Sequence, residues 1–248
     1  MAMARPAEPG LLGRIVRAAT LTFIRRGYRG SRIEQVAEEA GVSVGTIYRY
    51  VAGKDALFEL SVKDAFGQLD EDRTDVPYGG SGRLDFVDEL WRRLLATHPA
   101  SRLREALEAD EPEDPATELE EVVRDVYRWE LRYWKAIRLI ERCARDWPEL
   151  DLIYYRQFRR EMLGLGARYL GQRAKTGDLM PVPDPALAAR VVGEAIAFFA
   201  LHRHTAPDSE GMDEQLVEDT LATLLTNAFL PPSAEHVEWA EGRRETVG

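Results

Sequence analysis

The stretch SRIEQVAEEAGVSVGTIYRYV, Ser31 to Val51, reads as two short helices that cannot run on into one another. Ile33, Val36, Ala37 and Ala40 recur at three- and four-residue spacing and so share one helical face. Gly41 then supplies the left-handed backbone position that ends a helix, and Ser43 is a natural N-cap for the next one. Upstream, SRIE has the form of a capping box, in which the Ser31 hydroxyl accepts from the backbone N–H of Glu34 and the Glu34 carboxylate reaches back. Two short helices joined by a turn of about three residues with glycine in it are the signature of a helix-turn-helix.

At about 100° per residue, Ile47, Val51 and Val44 define the buried side of the second helix. Gly45 and Arg49 then point directly away from that side, with Thr46 and Tyr48 on opposite flanks and Tyr50 on the border. A helix laid in a DNA major groove needs this layout, with base readers at the centre and phosphate contacts on both shoulders. Gly45 lets a backbone approach base edges, Arg49 has the donors to bind a guanine twice, and the Thr46 and Tyr48 hydroxyls with the Lys54 ammonium suit phosphates.

Elsewhere, apolar residues recur at helical spacing between Pro, Gly and Asp breaks, and strand signals are nearly absent, which predicts an all-α chain. The pattern places helices near 8–27, 33–40, 44–51, 54–73, 83–97, 100–109, 116–146, 149–174, 185–204 and 213–229, with DVPYGGSG and EADEPEDP as loops. The tail 231–248 reads as a flexible extension.

Charge is divided unevenly. Residues 1–60 carry nine basic and six acidic side chains, whereas the remainder carries 24 and 37, within a net charge of −10. A small anion-facing module on an acidic body is the natural reading. The start MAMARPAEPG has no apolar core of a secretory signal, and the run VVGEAIAFFAL is interrupted by Glu194, so a cytoplasmic protein without a membrane span is expected. Cys143, the single cysteine, excludes an intrachain disulfide and is expected to be an inert core thiol. His202 and His204 do not fall on one helix face, and neither a metal site nor a cofactor is expected.

The segment GYRGSRIEQVAEEAGVSVGTIYRYVAGKDALF, Gly27 to Phe58, resembles the DNA-binding domain of TetR-type (tetracycline-repressor-like) transcriptional regulators. It has the Gly-Tyr that ends helix 1, the A-G-V-S turn, the tyrosine at Tyr48 and the Lys-Asp-x-Leu that opens helix 4; it departs at Val51, where that family more often has Phe. The resemblance implies DNA contacts at Ser31, Arg32, Ser43, Val44, Gly45, Thr46, Tyr48, Arg49, Tyr50 and Lys54. It also implies an N-terminal three-helix DNA-binding domain over 1–54 and, over 55–230, a C-terminal helical bundle that binds a small effector and dimerises. On that reading the partners are a double-stranded DNA operator, an effector of unknown identity and a second copy of the chain, paired through the helices near 185–204 and 213–229.

The periodicity of the body adds particulars. Leu119, Val122, Val123, Val126, Tyr133, Ile137 and Ile140 form one stripe along a helix over 116–146, with Arg124, Arg128, Arg132 and Lys135 on its far side. Glu130 interrupts the stripe, either as a pocket acid that meets an effector or as a structural ion pair with Arg156 or Arg159. Trp91, Tyr127, Tyr133, Trp134, Phe158 and Met162 are candidates to line an effector pocket or to fill the core, and His98, placed on the apolar side of its helix, either lines that pocket or is a hydrogen-bonded core or end-of-helix histidine. DPALAARVVGEAIAFFALHRH and EQLVEDTLATLLTNAFL, with Leu216, Leu221, Leu224, Leu225 and Phe229, are apolar on more than one face, so each needs a partner inside and outside the subunit.

Two rival functions differ in what they require. An all-α enzyme would need a catalytic set, and no Ser-His-Asp arrangement, phosphate-binding glycine loop or metal spacing is visible. An architectural DNA-binding protein without an effector would bind with steep salt dependence and little sequence preference.

Overall fold

The computed structural model describes residues 10–109, 111–206, 209 and 211–232. The start of the expected first helix and the tail after residue 232 lie outside the described residues. Among the described residues the chain is helical, with one isolated bridge between Val51 and Tyr78 and no strand. The helices are α1 (Leu11–Gly30), α2 (Ile33–Ala40), α3 (Val44–Tyr50), α4 (Lys54–Ala65), α5 (Arg83–Ala96), α6 (Ser101–Glu108), α7 (Pro115–Arg132), α8 (Trp134–Ala144), α9 (Pro148–Asp151), α10 (Arg160–Thr176), α11 (Pro185–Ala197) and α12 (Glu214–Asn227). Wider π-helical turns at Leu152–Arg159 and Phe198–His202 continue α9 and α11.

Two expected helices are shorter than their apolar pattern. Gly67, at φ 69°, closes α4 with Gly67 N–H on Asp64 O and Gln68 N–H on Lys63 O, so the helix stops at Ala65 and not near residue 73. The helix expected over 116–146 breaks at Tyr133, whose φ and ψ of −105° and 19° are not helical. The break lets the Tyr133 ring pack on Phe66 at 5.6 Å, a contact that no helical pattern within the segment foretells.

Packing divides the chain into two units, drawn from Met1–Pro99 with Glu130–Arg160 and from Ala100–Trp129 with Glu161–Gly248. The division expected after residue 54 is not a packing boundary, because α4 packs along α1 in the first unit. That unit is centred on Phe58, which meets Phe23, Tyr28, Phe86 and Trp147 at ring separations of 5.2, 5.6, 5.8 and 5.3 Å. Cys143 is buried near this core, and burial pushes its thiol up, away from the reactive thiolate.

In the second unit Arg173, 1% exposed, donates to both oxygens of Glu118 at 2.9 Å and to Ala106 O at 2.8 Å. Arg124 of α7 joins α12 by ion pairs to Glu218 at 3.0 Å and Asp219 at 2.7 Å. The far side of the α7 stripe is therefore a docking face as well as a charged one. On α11, α12 and the turns that follow them, Leu187, Val191, Phe198, Leu216 and Leu224 are exposed, while Leu221 and Phe229 are buried. The stretch Pro185–Thr205 is long and apolar enough by composition to cross a membrane, and only 28% of its most apolar window is buried.

The 66–82 loop holds α3 in place. Tyr78 donates its N–H to Tyr50 O and accepts from Ala52 N–H, each at 2.8 Å, so it brackets the end of α3 from both sides of Val51. Its hydroxyl donates to Glu59 and accepts from Lys63 at 2.6 Å, and Glu59 also accepts from Ser81 N–H at 2.8 Å. Burial pushes the Glu59 carboxyl up, but the bonds from Tyr78, Ser81 and Lys63 outweigh it and hold it below the ordinary carboxylate value. A depressed carboxylate stabilises the fold above its unfolded pKa of about 4.3, and the contribution is lost as pH falls through the lower folded value. Melting temperatures followed down through that window should fall less steeply for Glu59→Gln than for the parent. Equal slopes would show that this cluster does not carry the acid sensitivity.

Candidate nucleic-acid interface

The helix-turn-helix forms from local signals. Gly41, at φ 65° and ψ 38°, closes α2 with its N–H on Glu38 O and with Val42 N–H on Ala37 O at 2.9 Å. Ser43 caps α3, its hydroxyl accepting from Thr46 N–H at 3.1 Å and lying 2.9 Å from the Thr46 hydroxyl. Ile47 and Val51 are fully buried and fix the rotation of α3. That rotation leaves Gly45, Tyr48 and Arg49 exposed and Thr46 and Val44 half-buried. Arg49 makes no ion pair with any described carboxylate, whereas Arg25 pairs with Glu39 at 3.1 Å.

Gly45 has no internal reason to be glycine. Its backbone is helical, and a Cβ there would meet only Ser43 Oγ, at 3.8 Å. Glycine in a helix costs about 1 kcal/mol relative to alanine, so the chain tolerates a local loss of stability on its most open face.

Three expected contact residues sit differently. Ser31 is 2% exposed, and its hydroxyl donates to Gly27 O at 2.6 Å and Thr22 O at 3.2 Å. The box at the start of α2 is shifted by one residue: Arg32 N–H donates to Gln35 Oε1 at 3.0 Å, and neither Ser31 nor Glu34 forms the expected pair. Ser31 is spent on closing the corner after α1, which removes its side chain from a phosphate role. Tyr50 is 2% exposed, because the Tyr78 clip folds the end of α3 into the core. The Lys54 ammonium lies 4.4 Å above the Tyr28 ring, and burial lowers its pKa.

Tyr28 and Asp55 tie α1 to α4. The Tyr28 hydroxyl donates to Asp55, and Arg83 donates to the other Asp55 oxygen at 3.0 Å. At the same corner, Asp146 Oδ2 accepts from Arg29 N–H at 2.9 Å. This corner anchors the end of α1, directly before α2.

The profile described as bacterial regulatory proteins, tetR family, matches residues 15–60, which hold the whole of α2 and α3. Over these residues the chain is similar to the tetR family of bacterial regulatory proteins. Among curated relatives, it is 35% identical over 82 residues to the HTH-type transcriptional regulator HbdR of Aromatoleum sp. (strain CIB), covering 33% of this chain and 34% of that one. It is 28% identical over 116 residues to the uncharacterized HTH-type transcriptional regulator YdeS of Bacillus subtilis (strain 168), 46% of this chain and 57% of that one. These matches span about a third and just over half of the relatives' lengths. The fold is similar to the ketosteroid transcriptional regulator KstR2 of Mycobacterium tuberculosis, with a TM-score of 0.54 at 15% identity over 91% of this chain and 98% of that one. It is also similar to the tetR-family regulator SCO3833 of Streptomyces coelicolor A3, with a TM-score of 0.52 at 23% identity over 91% and 93%.

The residues expected to meet an effector are divided between the units. Trp91, His98, Glu130, Tyr133, Trp134 and Phe158 belong to the first, and Tyr127 and Met162 to the second. Tyr127 and Phe158 are buried, Phe158 stacking on Tyr154 at 6.4 Å, while Trp91, Glu130, Tyr133, Trp134 and Met162 are half-buried. His98 does not lie on the apolar side of its helix. α5 ends at Ala96, and His98 follows it, exposed, at φ 50°. Arg156 pairs with Asp151 at 2.8 Å, and the Glu130 charge acts on the buried Tyr154 hydroxyl.

Proposed function

We propose that the chain is a homodimeric, ligand-responsive repressor that reads a pseudo-palindromic DNA operator with α3. The observation that carries the reading is the outward face of α3, where an unneeded glycine stands beside an arginine that has no ion pair with a described residue. Such a face has the access for base edges and the donor fork for guanine. Two half-sites one helical turn apart, about 34 Å, require two recognition helices and hence two copies. The exposed Leu187, Val191, Phe198, Leu216 and Leu224 support pairing of α11 and α12 with their copies, since apolar residues on both helices lack cover within the subunit. A small-molecule effector then acts by preferring a dimer whose recognition helices are wrongly spaced. The site of action is DNA in the cytoplasm.

Recovery of bound duplexes from random fragments tests the reading directly. Inverted repeats with half-sites a turn apart, or a nearby multiple, are expected, and sequence-independent recovery would sink it. Gly45→Ala provides a second check with opposite signs. Helix propensity should raise stability by about 1 kcal/mol, or roughly 2–4 °C in melting temperature. The added methyl should meanwhile lower affinity for the recovered operator by about tenfold. A rise in melting temperature without loss of binding would show that this face does not approach bases.

A further inference from the structure

The second unit contains a buried cation whose hydrogen bonding is incomplete. Arg203, which follows the π-helical turn after α11, is 6% exposed. Its Nη1 donates to Met212 O at 3.2 Å, but Nε and Nη2 are buried with no hydrogen-bond partner. Glu214 Oε1 approaches Nη2 at 3.6 Å, an ion pair outside hydrogen-bond range, from a side chain that is 65% exposed. Arg173 in the same unit shows how a buried guanidinium is normally satisfied here, with a carboxylate and carbonyls filling its donors. Leaving the donors of a buried charge unmet costs several kcal/mol by general experience, so the arrangement at Arg203 is built for something further.

The two unmet donors are on one edge of the guanidinium. Nε–H and Nη2–H point the same way and form the fork that grips a carboxylate through both oxygens. Arg203 lines a cleft of about 440 Å³ with His204, Thr205, Ala206, Met212 and Glu214, room for a small organic molecule and not only for an ion. In the same unit, the hydroxyl of Tyr127 on α7 is also buried without a hydrogen-bond partner. Burial raises the Tyr127 pKa, and the Arg203 charge acts against that rise, which makes the two groups electrostatic neighbours.

We propose that Arg203 is the anion-gripping group of a ligand site within the second unit, and that the ligand is a small organic carboxylate. The proposal deepens the regulator reading, on which it rests for the ligand's role as effector, by naming a chemical class. Glu214, being exposed, is the carboxylate that an incoming ligand displaces from the guanidinium.

Calorimetric titration of the full chain without DNA tests the site, using benzoate and hexanoate with benzyl alcohol and hexanol as uncharged controls. Saturable binding of one carboxylate per chain is expected, with no binding of the alcohols. Arg203→Lys keeps the charge but loses the fork, and should weaken binding by about tenfold or more. Glu214→Gln removes the competing exposed carboxylate and should tighten binding roughly threefold. Absence of carboxylate binding to the parent chain, binding of the alcohols as tightly, or retention of parental affinity by Arg203→Lys would each overturn the proposal. If Arg203→Lys does not fold, Glu214→Gln decides, and unchanged affinity there overturns it. A missing carboxylate response would leave the DNA-recovery result standing, and failure of DNA recovery would leave the titration readable.

Discussion

Arg49→Ala lowers affinity for the recovered operator by about 5- to 150-fold per half-site, the roughly 1–3 kcal/mol that a bidentate arginine–guanine contact contributes. Because the side chain is exposed and makes no ion pair with a described residue, its loss should change stability by no more than about 0.5 kcal/mol. Non-specific binding should fall far less, since one phosphate-range cation among several is removed. Fluorescence anisotropy on the operator and on a scrambled duplex, at two salt concentrations, separates the outcomes. A proportional loss on both duplexes would make Arg49 a phosphate contact and would remove it as a base reader.

Gly27→Ala should lower the melting temperature by about 6–12 °C, corresponding to roughly 3 kcal/mol for a chain of this size. Gly27 is buried at φ 74° and ψ 175°, a backbone region open almost only to glycine, and forcing alanine into it costs about 1–3 kcal/mol. A Cβ there would also stand 2.9 Å from Asp146 Oδ2, the oxygen that accepts from Arg29 N–H. The carboxylate must then move, and its bond to the chain turning into α2 is lost as well, adding about 1 kcal/mol. The double variant with Asp146→Ala should recover only the steric part, because the backbone strain persists. An unchanged melting temperature for Gly27→Ala would mean that the corner is not held as described.

Gly27 was legible in the sequence as the end of a helix, but its contact with Asp146 was not. The two are far apart in the chain, and nothing in either neighbourhood marks the other. The same holds for Tyr78. DVPYGGSG reads as a loop by its proline and glycines, yet that loop supplies the clip that buries Tyr50 and fixes the end of α3. Ser31 shows a different kind of error, for a serine three residues before a glutamate fits a capping box, and two nearby carbonyls took the hydroxyl instead. Arg203, between His202 and His204, carries no local mark of its burial. A cation at the end of an apolar helix is usually solvated, and only the burial of its guanidinium distinguishes it.

The all-helical class, the Gly41 stop, the Ser43 cap and the rotation of α3 that leaves Gly45 and Arg49 outward follow from local residue patterns. Each of these is decided within a turn or two of backbone, where spacing and residue type act directly. The break at Tyr133, the interleaved units, the Tyr78 clip and the half-satisfied Arg203 were decided only by the tertiary structure. They depend on which distant groups share a buried volume, and in such a volume a ring or a charge settles where its partners are, whatever its local pattern favours.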